Sequence, residues 1–195
     1  MIEFKYPEGA TPLNKDEIEG PLPTHITTRA ELDRWEQDNI NEALAWLENR
    51  KRKDILNEPF VKLLHKKMFG NVWKWAGKFR QSNKNIGVDW YQISIELKKL
   101  CDDIKYWIEN NTFSEDEIAA RFHHRLVSIH LFPNGNGRHA RLIADVLLEN
   151  VLGKRPFTWG NANLVKSGDD RNRYMKSLYT ADKGDYKYLL EFARS

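Results

Sequence analysis

The side chains best suited to chemistry are concentrated in one short segment, IHLFPNGNGRHAR, spanning residues 129–141. His130 stands before a Pro-Asn-Gly-Asn-Gly turn, and Arg138 and Arg141 follow it, three residues apart. Glycines at 135 and 137 let successive backbone N–H groups turn toward one point. If a helix starts there, its unpaired amides and its dipole favour an anion at that point. Arginines three apart share a helix face and can fork onto phosphate oxygens. His130, at the end of the preceding element, can fold back over the same anion as a general base. Gly135, Asn136, Gly137, Arg138 and Arg141 would then form a polyphosphate cradle. A plain Gly-Asn-Gly loop beside a structural histidine fits the spacing too, and spacing alone leaves that alternative open.

Elements on both sides must hold this turn. Upstream, SEDE at 114–117 is a capping box opening a helix with Ile118, Phe122, Leu126 and Ile129 on one face. Downstream, Leu142, Ile143, Val146 and Leu147 mark a helix ending before Gly153. A further capping box, TRAE at 28–31, opens a helix with Leu32, Trp35, Ile40, Leu44 and Leu47 and an end near Arg50. Asn57 and Pro59 start another with Phe60, Leu63, Leu64 and Met68. A helix with Ile95, Leu97, Leu100, Ile104 and Ile108 inside comes later, and two last helices are separated by Gly184. Between them, FRQSNKNIGVDWYQI predicts a short β-hairpin flap around Ile86 and Gly87. Residues 1–27 are proline-rich and predict an extended arm with one short helical piece near NKDEIEG. The fold class is all-α, with seven or so helices and at most one hairpin.

Composition narrows the function classes. With 41% hydrophobic and 30% charged residues the chain is globular rather than disordered. Its 31 Lys+Arg against 28 Asp+Glu give only +3, so no global basic field argues for nucleic acid. A helix-turn-helix DNA-binding module is the rival of a different class, but DDRNRYMKSLYTADKGD is too close to neutral for a recognition helix. A single cysteine, Cys101, excludes a disulfide framework and reads as an internal helix position. His123 and His124 point about 100° apart on a helix and cannot share a zinc face. Trp35, Trp46, Trp73, Trp75 and Trp107 read as core. No apolar run of about 18 residues spans a membrane, and the first residues do not read as a signal peptide. The expected compartment is the cytoplasm.

The string HLFPNGNGRHAR resembles the Fic (Fic/Doc) family motif, His-x-Phe-x-(Asp/Glu)-Gly-Asn-Gly-Arg-x-x-Arg. The resemblance covers roughly residues 55–195, with residues 1–54 as an N-terminal arm and helices, all in one compact unit. GATPLNKDEIEG and PTHITTRAELDRWEQDNI also look like the bacterial subgroup known as mobile mystery protein B, a name that carries no established substrate. The resemblance implies a Fic-type helical bundle and transfer of AMP from ATP to a Tyr, Thr or Ser hydroxyl of a target protein. Transfer of another nucleotidyl or phosphoryl group through the same site is the alternative. By position, His130 would be the base and Phe132 would anchor the loop. Gly135, Asn136 and Gly137 would bind the α- and β-phosphates, Arg138 the β-phosphate and Arg141 the γ-phosphate. Tyr174 matches a position that contacts adenine, and Ile86 and Gly87 would dock the target. Mg2+ would bridge the phosphates, with Asn134 where most members carry an acidic ligand. A neutral amide oxygen is a weaker ligand for so hard a cation. The family's inhibitory pattern (Ser/Thr)-x-x-x-Glu-(Gly/Asn) makes Glu19 a candidate brake on Arg141, although Lys15 replaces the hydroxyl residue. Without it, control would fall to a separate regulatory protein.

Overall fold

The structure is a computed structural model that describes residues 28–48, 52–161 and 168–195. Glu19, the arm and its helical piece lie outside the described residues. Among the described residues seven α-helices follow in order: α1 (Arg29–Glu48), α2 (Glu58–Phe69), α3 (Ile93–Glu109), α4 (Glu115–Ile129), α5 (Asn136–Val146), α6 (Asp169–Ala181) and α7 (Lys187–Arg194). A π-helical turn, Leu147–Val151, prolongs α5. No helix among the described residues is long and apolar enough to cross a membrane.

The predicted caps set several of the helix starts. Thr28 N–H donates to Glu31 Oε2 at 3.0 Å and Glu31 N–H returns to Thr28 Oγ1 at 3.2 Å, a complete capping box for α1. Asn57 accepts from Phe60 N–H at 2.8 Å and Pro59 sits in the first turn of α2. At α4 only half of the box forms. Ser114 accepts from Glu117 N–H, but the Glu117 carboxylate turns along the helix to Arg121 at 2.8 Å, an i,i+4 pair that outcompetes the backward reach.

At the centre α4 packs on α5 and α3, α2 packs on α1 and α5, and α6 and α7 close against one another and α4. Leu64, Phe69, Ile104, Phe122, Ile129, Phe132, Ile143 and Leu147 are fully buried between them. Cys101 is buried in α3, as expected. Three inward assignments fail: Ile95 is 58%, Leu44 40% and Trp35 39% exposed, because each lies on the outward edge of its helix.

The expected β-hairpin is the main structural correction. Residues 81–88 form an irregular loop without strand pairing. Its carbonyls turn inward to one side chain: Arg80 donates to Ser82 O at 2.9 Å and also to Val88 O. Asn83 bridges the loop ends, giving Nδ2–H to Asp89 and accepting from Trp90 N–H at 3.0 Å. A charged hub replaces the cross-strand ladder.

Candidate active site

Helix α4 ends at His130, whose backbone is left-handed (φ 57°) while its N–H still reaches Leu126 O at 3.2 Å. That conformation is costly for a non-glycine residue and turns the chain sharply under the flap. The His130 side chain is 5% exposed, and neither ring nitrogen has a hydrogen-bond partner. Burial, then the positive charges of Arg80 and Lys84, lower its pKa to about 4. It is therefore a neutral imidazole with an uncommitted lone pair, the state a proton acceptor needs.

The turn that follows is pinned from inside. Phe132 is fully buried and stacks on the His65 ring at 3.6 Å between centroids. The Asn136 side chain accepts from Phe132 N–H at 2.9 Å and donates to Phe132 O at 2.7 Å, closing the loop on itself. Its amide is thus spent on the scaffold, so Asn136 can serve an anion through its backbone. Gly135 is left-handed (φ 77°), and a Cβ there would come within 2.7 Å of the Phe69 ring. Only glycine fits both demands. His65 accepts from Gly77 N–H at Nδ1, 3.0 Å, leaving Nε2–H to donate to Asn134 O at 3.1 Å. Burial and the adjacent His139 keep His65 neutral, as that hydrogen-bond pair requires.

Helix α5 starts without a side-chain cap, so its first amides face the space beside Gly137. A Cβ at Gly137 would meet only Arg141 Nη1 at 3.7 Å and the Tyr174 hydroxyl at 3.9 Å. Both motif arginines are supported from other elements. Arg138 donates to Glu36 of α1 at 2.6 Å and lies over the Phe69 ring. Arg141 lies 5.4 Å above the Tyr174 ring. Tyr174 is 4% exposed, with its hydroxyl 3.0 Å from His123 Nε2. It is placed as a floor for Arg141, with little surface left to offer an adenine.

The flap lies directly on His130. Gly87 (φ 100°) approaches so closely that a Cβ would sit 2.7 Å from His130 Cβ, and Ile86 beside it is 43% exposed. Arg80, 2% exposed, joins the two segments: Nε donates to His130 O at 2.6 Å and Nη2 to Val88 O and Ile129 O. Its backbone N–H takes Leu131 O at 3.0 Å. Arg80, His65 and Glu36 are the residues that motif spacing misses. A signal existed for one of them, since Arg80 is the cation at the junction of the aromatic WKWAGKF run and the polar flap.

As a metal site the donor set is sparse. Among the described residues no group of three or more His, Cys, Asp or Glu could hold an ion. Asn134 Oδ1 already accepts from Gly135 N–H, leaving one lone pair. Asn134 can therefore offer a cation one neutral oxygen.

An all-helical domain with a left-handed histidine, a glycine cradle, two supported arginines and a covering flap is a recognisable class. Residues 55–148 match the family model described as Fic/DOC. The Aedes aegypti "Protein adenylyltransferase Fic" is 28% identical over 144 residues, 72% of this chain and 26% of that protein. The Caenorhabditis briggsae "Protein adenylyltransferase fic-1" is 28% identical over 134 residues, 66% of this chain and 25% of that protein. The chain thus spans about a quarter of the length of these curated relatives. Among solved structures, the Fic domain of Bep8 from Bartonella sp. 1-1C superposes with TM-score 0.69 at 18% identity, covering 89% of both chains. BepC from Bartonella tribocorum, solved with AMPPNP bound, gives TM-score 0.69 at 18% identity over 88% of this chain and 89% of that one. At such identities the structures establish the fold.

Proposed function

We propose that this chain is a protein adenylyltransferase that moves AMP from ATP to a hydroxyl side chain of another protein. The observation that carries it is His130: a neutral, buried imidazole with both nitrogens unpartnered, at the end of α4 where the chain turns into the glycine start of α5. The target hydroxyl oxygen attacks the α-phosphorus and its proton passes to a His130 nitrogen. The α–β phosphoanhydride bond breaks, and pyrophosphate leaves with the bonding pair. Amides at the start of α5 take the phosphates, Arg138 the β-phosphate and Arg141 the γ-phosphate. The triphosphate's negative charge raises the His130 pKa from its value in the free protein, so the base strengthens when ATP is present. Asn134 would give its remaining amide lone pair to a nucleotide-borne Mg2+, which when bound supplies charge neutralisation on the phosphates.

The relatives' names, which call them adenylyltransferases, and the AMPPNP in BepC support the nucleotide. The flap supports a protein acceptor, since Ile86 and Gly87 stand between solvent and His130. Glu19 is proposed as a competing carboxylate for Arg141. Glu19→Gly should raise transfer, and an unchanged rate would leave control to a separate protein.

The deciding experiment incubates the chain and its His130→Ala variant with ATP labelled at the α- or the γ-phosphate. Protein label from the α position alone, lost in His130→Ala while ATP still binds, is the expected result. Label from the γ position alone would mean phosphoryl transfer instead.

A further inference from the structure

Helix α1 lies outside the family-matched span of residues 55–148, yet it sends a carboxylate into the site. Glu36 is 4% exposed. Oε2 accepts from Arg138 Nη1 at 2.6 Å and Oε1 accepts from Trp73 Nε1, also at 2.6 Å. Trp73 is 2% exposed and stacks on Trp75, so the indole N–H is a fixed donor. Both carboxylate oxygens are therefore committed, one to each neighbour.

We propose that Glu36 is a positioning residue for Arg138, holding its guanidinium at the phosphate cradle through Nη1 while the remaining N–H edge stays available for phosphate. This rests on the nucleotide assignment above. Among the described residues Arg138 has no other hydrogen-bond partner, and its guanidinium is steadied from one side by the Phe69 ring at 4.7 Å. A guanidinium carries five donors in a rigid fork, so one edge can pair with a carboxylate while another faces an anion. The alternative is that Glu36 is a lock which Arg138 must leave before phosphate binds. Burial argues against it. If Arg138 left, the carboxylate would keep only the indole N–H, and an unpaired buried charge is severely unfavourable. The pair must persist in the nucleotide complex, and Glu36 then fixes where the cation sits.

The test separates positioning from scaffolding by comparing two nucleotides that differ at the phosphate Arg138 would hold. The full chain and its Glu36→Gln and Trp73→Phe variants are titrated with ADP and with AMP. The glutamine keeps the acceptor for Trp73 and removes the charge facing Arg138. ADP affinity should fall roughly tenfold in Glu36→Gln, as expected for one lost charge-assisted contact, while AMP affinity stays within about twofold. The loss in transfer should appear in KM for ATP more than in kcat. Trp73→Phe, which frees Oε1 but leaves the ion pair, should shift ADP the same way by about threefold. ADP affinity unchanged or increased in Glu36→Gln overturns the proposal, as do equal losses for ADP and AMP. If Glu36→Gln does not fold, an unshifted ADP-to-AMP ratio in Trp73→Phe overturns it. A wild-type chain that binds no ADP would instead overturn the nucleotide assignment itself.

Discussion

Removing the Arg80 guanidinium should cripple transfer without emptying the nucleotide site. His130 occupies a left-handed backbone conformation that costs on the order of 1–3 kcal/mol for a non-glycine residue. Something must offset that, and the 2.6 Å charge-assisted bond from Arg80 Nε to the His130 carbonyl is of matching size, about 1.5–3 kcal/mol. In Arg80→Met that bond is gone, along with the contacts to Ser82, Val88 and Ile129 that hold the flap against the histidine. A shift of about 2 kcal/mol toward other His130 conformations leaves roughly one molecule in thirty competent, so kcat should fall about thirtyfold. The cradle is pinned separately, by Phe132, Asn136 and His65, so KM for ATP should change little. Stability should drop as well, by about 4–8 °C in melting temperature for a loss of that size in a chain of this length. A second readout isolates the electrostatic part. Arg80 is one of the charges that hold the His130 pKa down, so its loss must move the acid limb of kcat/KM to higher pH. Arg80→Lys keeps the charge and should leave that limb in place while still lowering kcat. Wild-type kcat in Arg80→Met would refute the argument. A fall in kcat with no movement of the acid limb would refute its electrostatic half.

Two further outcomes follow from the same geometry. Asn134→Asp should raise Mg2+ affinity in the nucleotide complex several-fold, measured by titrating the metal at fixed ATP, because an anionic oxygen replaces a neutral one; no gain would place the ion elsewhere. Melting temperature should fall between pH 6 and 4.5: folded pKa values near 3 for His123 and near 4 for His130 and His139 lie below the unfolded 6.5, and His65 and His124 are lowered too, so the unfolded chain binds more protons there. Asp145, buried and raised to about 7, works the other way by one proton and is outweighed by the histidines; a flat melting temperature over that range would contradict it.

What the sequence disclosed about the site and what it withheld divide along one physical line. Local interactions are written within a few residues of where they act. The capping box at Thr28, the Asn57 cap, the glycine turn at Gly135 and the i,i+3 arginines could be placed from their spacing, because each partner lies within one helical turn. The flap shows where that logic stops. Its polar centre and β-forming flanks suggest a hairpin, but a hairpin needs its carbonyls to face a partner strand, and here they face Arg80. A buried cation can override strand propensity when it satisfies several carbonyls at once, and that choice is made by residues 129–131, some fifty positions away. Glu36 is further still: its pairing with Arg138 spans 102 positions and leaves no periodic trace in α1. The chemistry of His130 depends on the same long-range terms. Its identity and position could be read from the motif, whereas its neutrality and its unpartnered nitrogens come from burial under Gly87 and from the charge of Arg80. The role proposed for His130 therefore rests on distant residues, which deny the imidazole both water and a hydrogen bond.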